Sequence, residues 1–111
     1  RALAPKVSVP LLQLDRLQAQ VSAIAARFHG EPASRMRMVG ITGTNGKTSV
    51  SLFLAQALPR QWKCAITGTV GNGFPAALQP STHTTPDAVQ AQRILGQLEQ
   101  AGARAVAMEV S

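Results

Sequence analysis

The spacing of apolar residues along the chain changes several times, and each change marks an element. From Leu11 onward, Leu14, Leu17, Val21, Ile24, Ala25 and Phe28 recur at helical spacing until Gly30 and Pro32 break the pattern. Residues 1–10, with Pro5 and Pro10, read as extended or loop, and 31–35 as a short linker or domain boundary. Residues 36–42 form a compact apolar stretch with Val and Ile, the composition of a buried strand. A helix over 48–58 follows, and its apolar positions Val50, Leu52, Phe53, Leu54, Ala57 and Leu58 cover more than one face, which predicts a helix set well into the core. Pro59 ends it.

Residues 63–69 predict a second strand, followed by a long loop through Gly71, Gly73, Pro75 and Pro80. Thr85-Pro86-Asp87 reads as a helix start, with Thr85 as capping hydroxyl, Pro86 at the first position and Asp87 as an acid in the first turn. Val89, Ile94, Leu95 and Leu98 form the stripe of that helix, and Gly102 stands where its C-terminal cap is needed. Residues 103–110 are a third strand. The order strand, helix, strand, helix, strand predicts an α/β fold: a phosphate-loop (P-loop) type of parallel sheet flanked by helices.

Composition adds bounds. The chain has 111 residues, 45% hydrophobic and 14% charged, which suits a globular domain with one modest core. It starts at Arg1 and stops at Ser111 directly after an apolar run, so the expectation is an excerpt of a longer polypeptide. The net charge of +6 comes from cations scattered singly, without runs or interleaved aromatics, which argues against nucleic-acid binding. The single Cys64 has no partner for an intramolecular disulfide and sits among apolar residues; a small buried hydrophobe in a reducing, cytoplasmic compartment is expected. No apolar stretch approaches the length of a membrane span.

The chemistry concentrates in Gly43-Thr44-Asn45-Gly46-Lys47-Thr48-Ser49, between a predicted strand and a predicted helix. Glycines there let backbone N–H groups approach phosphates, and the helix N-terminus adds partial positive charge. Lys47 would set a cation against the β and γ phosphates, and the Thr48 hydroxyl would ligate Mg²⁺. The standard spacing wants Gly at position 41, where Ile41 stands. A Gly-rich turn without function would satisfy the glycines, but it has no need of Gly46-Lys47-Thr48-Ser49 at a helix start. Glu109 ends an otherwise apolar run, where a charge is costly unless paired. It suits the acid that holds Mg²⁺ directly or through water in phosphate-loop enzymes, or else an acid that has reached a solvated strand end.

These residues resemble the Mur ligase family, whose phosphate loop has the form found at Thr42 to Thr48 and so accounts for the altered spacing. Three further blocks match in order: Gly68-Thr69-Val70-Gly71-Asn72, Thr84-Thr85-Pro86 and Met108-Glu109-Val110-Ser111. Together they point, within that family, to the member that adds a diamino acid to UDP-N-acetylmuramoyl-L-alanyl-D-glutamate. The resemblance implies an ATP- and Mg²⁺-dependent ligase acting through an acyl phosphate, with meso-diaminopimelate or L-lysine as the amine. It implies that Gly43 to Ser49 bind ATP, that Lys47 is catalytic, and that Thr48 and Glu109 hold Mg²⁺. Substrate contact falls to Thr84, Thr85 and Ser111, with His83 standing where some members carry Asn. A solvated loop histidine is the other reading of His83, and helix capping that of Thr85. On this resemblance, residues 1–35 are the tail of a UDP-substrate-binding domain and 36–111 the first half of a central ATP-binding domain. The alternatives are another member of the family, or a phosphate-loop nucleotide-binding module without ligase activity.

Overall fold

A computed structural model describes residues 8–82 and 85–111. The elements are α1 (Leu17–Phe28), β1 (Arg37–Ile41), α2 (Lys47–Ala57), β2 (Cys64–Gly68), β3 (Gly71–Gly73), α3 (Ala88–Gln100) and β4 (Ala105–Glu109), with short 3-10 turns at Pro32–Arg35 and Arg60–Trp62. They build one sheet in the order β1-β4-β2-β3. β4 lies parallel to both β1 and β2, so the carboxyl ends of these strands share one edge.

The α2 crossover runs from β1 past β4 to β2, and the α3 crossover comes back to β4. Crossovers in opposite directions, each right-handed, put their helices on opposite faces. The side chains follow. Ile41, Cys64, Ile66, Ala105 and Ala107 form one core under Leu52, Leu54, Ala55 and Leu58, from α2 and the residue after it. Met36, Ala65, Ala103 and Val106 form the other with Leu95 and Leu98 of α3. β2 and β4 are therefore apolar on both faces, as strands covered on both sides must be.

Several expectations need correction. The sheet is mixed rather than purely parallel, because β3 pairs antiparallel with β2 inside the stretch expected to be loop. That short strand is pinned by close backbone approach: a Cβ on Gly71 would lie 2.4 Å from the Gln79 carbonyl oxygen, and Asn72 exchanges backbone hydrogen bonds of 2.9 and 2.8 Å with Gln79. β1, expected to be buried, is an edge strand with only Ile41 buried. α2 is less embedded than its all-round apolar pattern predicts, since only Ser51 is fully buried while Val50 and Phe53 face outward.

α1 begins at Leu17, not Leu11, because Arg16 takes a left-handed conformation and the Asp15 carbonyl accepts from the Gln20 side chain. Its buried residues are Ala25 and Ala26, whereas Leu17, Ile24 and Phe28 of the expected stripe stay exposed. α1 leans on α3 through small and polar contacts, including a 3.2 Å hydrogen bond from Gln92 to Ser22. The cap of α3 is Asp87, whose carboxylate accepts from the Gln90 N–H at 2.8 Å, and not Thr85. Past the other end of α3, Gly102 and Ala103 donate to the Glu99 and Leu98 carbonyls, the pairing expected of a glycine-terminated helix.

Candidate functional site

β1 delivers the chain into Thr42–Gly46, an exposed loop, and α2 opens at Lys47. Gly46 holds φ +83°, a left-handed turn that a side chain would strain, and it leaves the helix N-terminus without a side-chain cap. The first intrahelical bond runs from Val50 N–H to the Gly46 carbonyl at 2.9 Å. The N–H groups of the first turn therefore have no acceptor within their own helix and face the loop, the arrangement that favours an anion. Lys47 lies beside them and donates to the Gly43 carbonyl at 2.6 Å. Its ammonium thus closes the loop on itself, within reach of anything held there. Thr44, Asn45 and Ser49 are exposed around the same turn.

Glu109, the last residue of β4, is 1% exposed. Because β1 and β4 are adjacent, with Ile41 level with Glu109, the carboxylate comes to lie beneath the start of α2. Thr48 Oγ1 donates to its Oε1 at 2.9 Å, and Thr69 Oγ1 donates to Oε2 at 3.1 Å. Among the described residues no Lys or Arg forms an ion pair with it; the ion pair found there joins Arg35 and Glu99. That pair ties the 3-10 turn before β1 to α3, through a contact from Arg35 Nε to Oε1 and a 2.8 Å bond from its terminal nitrogen to Oε2.

Thr85 and Ser111 belong to the same edge. Thr85 Oγ1 accepts from the Ser111 N–H at 2.8 Å and donates to the Glu109 carbonyl at 3.3 Å. The structure thus brings Thr48, Glu109, Thr85 and Ser111 together beside the loop, while His83 and Thr84 lie outside the described residues. Three contributors escaped the sequence reading. Thr69 bonds the carboxylate, Gly68 makes room for it, and the fully buried Ser51 steadies the first turn of α2 by donating to the Thr48 carbonyl at 2.8 Å. Gly68 and Thr69 were visible only as part of the Gly68–Asn72 block. Its remaining polar member, Asn72, accepts from the Thr67 hydroxyl and so braces the β2–β3 hairpin.

A three-layer α/β sheet with a glycine-rich turn, a buried acid and hydroxyls at the carboxyl ends of its parallel strands is the class of domain that binds ligands at that edge. The chain belongs to the Mur ligase family: the profile of the Mur ligase middle domain matches residues 41–111. It is 53% identical over its whole length to the UDP-N-acetylmuramoyl-L-alanyl-D-glutamate--2,6-diaminopimelate ligase of Alkalilimnicola ehrlichii, of which it covers 22%. To the ligase of that name from Pseudomonas aeruginosa it is 54% identical over 96% of the chain, again covering 22% of the relative. A solved structure of a ligase with this name superposes with a TM-score of 0.68 at 33% identity, over 83% of this chain and 20% of that one. The chain thus spans about a fifth of the length of its relatives. No helix among the described residues is long and apolar enough to cross a membrane.

Proposed function

We propose that this chain is the phosphate-binding portion of a cytoplasmic ligase that joins 2,6-diaminopimelate to UDP-N-acetylmuramoyl-L-alanyl-D-glutamate at the expense of ATP. The observation that carries the reading is the meeting of Thr48 Oγ1 with the buried Glu109 carboxylate at the glycine-rich loop, in a chain 53% identical to a ligase of that name. The relatives' names favour diaminopimelate over L-lysine as the amine. In this reading residues 1–35 are the tail of a preceding UDP-substrate-binding domain, and 36–111 open the central ATP-binding domain.

The chemistry of the donor set fits Mg²⁺. Among the described residues no group of three or more His, Cys, Asp or Glu could form a protein-only cage. One carboxylate and one hydroxyl are instead the sparse, hard-oxygen set of an ion that keeps waters and takes phosphate oxygens. Thr48 and Glu109 would hold it, Glu109 directly or through water, and when bound it would neutralise charge developing on the transferred phosphoryl group.

The chain's own residues do the rest. N–H groups of Gly43 to Ser49 cradle the phosphates, and Lys47 exchanges the Gly43 carbonyl for a β- or γ-phosphate oxygen. The γ-phosphoryl group passes to the substrate's carboxylate, giving an acyl phosphate and ADP; the amine then forms the amide and releases phosphate. Thr85 and Ser111, which meet at the same strand edge, would orient the muramoyl substrate, and the family motif assigns the same role to His83 and Thr84.

The test is phosphate release by the full-length polypeptide with UDP-N-acetylmuramoyl-L-alanyl-D-glutamate and either diaminopimelate or L-lysine. Turnover should require the muramoyl substrate and prefer diaminopimelate. Lys47→Ala should lower it on the order of 100-fold or more, as loss of a group aimed at developing charge does. Nucleotide turnover that continues unchanged without the muramoyl substrate would show that the ligase reading is wrong.

A further inference from the structure

Glu109 sits in a slot that only glycine leaves open. A Cβ built on Gly68 would lie 2.2 Å from Glu109 Oε1, 2.4 Å from its Cδ and 2.7 Å from its Cγ. Every one of those distances is an overlap, so the carboxylate and its stem lie flat across the backbone at the end of β2. β2 and β4 are adjacent and parallel, with Thr67 level with Met108, which makes Gly68 the strand neighbour of Glu109. The next residue, Thr69, donates its hydroxyl to Oε2 at 3.1 Å, while Thr48 from α2 donates to Oε1 at 2.9 Å. The two oxygens are therefore distinguished: one faces the first turn after the phosphate loop, the other is tied to the end of β2. Free glutamate side chains populate many rotamers, and fixing one costs conformational entropy. Here the slot and the two hydroxyls define one arrangement of the carboxylate.

The geometry points to Gly68 and Thr69 as positioning residues for Glu109. Gly68 supplies the space, and Thr69 anchors Oε2 so that Oε1 is presented, beside the Thr48 hydroxyl, to a hard divalent cation. The inference rests on the reading of Glu109 as a cation-holding group. Partners that orient a ligating carboxylate typically change metal affinity by about 10- to 100-fold when removed. A hydroxyl that merely satisfied a buried acid would affect folding stability instead.

The experiment measures Mn²⁺, as a paramagnetic stand-in for Mg²⁺, binding to the full-length polypeptide together with a non-hydrolysable ATP analogue, with thermal unfolding of each variant alongside. Thr69→Val should weaken Mn²⁺ binding about 10-fold or more, and Thr69→Ser should restore most of it. Gly68→Ala should weaken it as well by displacing the carboxylate; should that variant fail to fold, the Thr69 pair carries the test. If Thr69→Val binds Mn²⁺ as the wild type does, whatever its melting temperature, Thr69 is structural only and the inference is overturned while the cation reading stands. If Glu109→Gln binds Mn²⁺ as tightly as the wild type, or the wild type binds none, the cation reading itself fails and takes the inference with it.

Discussion

The hydroxyl of Thr85 joins two stretches of chain, accepting the Ser111 N–H at 2.8 Å and donating to the Glu109 carbonyl at 3.3 Å. A threonine hydroxyl has one proton and two lone pairs. Its proton and one lone pair are engaged here, so in this arrangement a ligand can reach Thr85 only as a donor to the remaining lone pair. Thr85→Val removes both bonds and loosens the backbone that carries Glu109 and Ser111. We predict a stability loss of about 1–3 kcal/mol and, if the proposed ligase function holds, a rise in KM for the muramoyl substrate larger than that for ATP, with Thr85→Ser close to wild type. Equal changes in both KM values would remove Thr85 from the substrate side of the site.

That double engagement also explains why the start of α3 was misassigned from sequence. Thr85 has the chemistry of a cap, but its hydroxyl is taken by the end of β4, and Asp87 caps the helix instead. The expectation at this second position is a local one. Asp87→Ala should destabilise the protein by about 0.5–2 kcal/mol, and Asp87→Asn, which keeps an acceptor for the Gln90 N–H, by much less. Chemical denaturation of the three proteins decides it; equal losses for Ala and Asn would mean that charge rather than the acceptor oxygen matters.

Legibility followed the same physical lines elsewhere. β2 and β4 could be read because both faces of each are covered, so residues 64–66 and 105–108 run apolar without a break. β3 could not, because Gly71-Asn72-Gly73 carries no apolar pattern and its pairing depends on a backbone approach that only glycine permits. The glycine-rich loop and Glu109 stood out as local oddities, a Gly-Lys-Thr-Ser run at a helix start and an acid in an apolar strand. The slot at Gly68 leaves no such mark, since the side chain that fills it belongs to another strand; the adjoining Thr69–Glu109 bond spans 40 positions of sequence. α2 and the stretch ahead of α1 misled for the opposite reason: their spacing is helical, but Phe53 and Leu11 stay exposed.

Cys64 offers a probe of core integrity. Its thiol is buried at the start of β2, and burial pushes its pKa up from the ordinary cysteine value, partly offset by a backbone hydrogen bond from Ala107. Both effects reduce reaction with disulfide reagents, one by limiting access and one by lowering the thiolate fraction. At pH 8 the native protein should react on the order of 10-fold or more slowly than a free thiol, with the rate rising through the unfolding transition in urea. Native reactivity equal to that in urea would contradict the buried placement.

The Arg35–Glu99 pair predicts a pH dependence with a definite sign. The Arg35 hydrogen bond holds the Glu99 carboxyl below its ordinary range, and Glu99 in turn raises the Arg35 guanidinium. For the acid, the unfolded chain binds its proton at higher pH than the folded chain does. Its stabilising contribution is therefore complete above the unfolded value, about 4.3, and is lost as pH falls through the lowered folded value. Arg35 stays charged throughout this window and adds no slope of its own. The pair is solvent-accessible on the Arg35 side, which screens it and keeps the effect small. Glu99→Gln should consequently show a shallower loss of urea midpoint than wild type below about pH 4.3, with little difference in slope at neutral pH. Arg35→Gln should behave in the same way, because without its partner Glu99 returns toward its ordinary range. If both variants lose stability with the wild-type slope below pH 4.3, the ion pair does not couple folding to protonation, and the tie between the turn preceding β1 and α3 rests on packing alone.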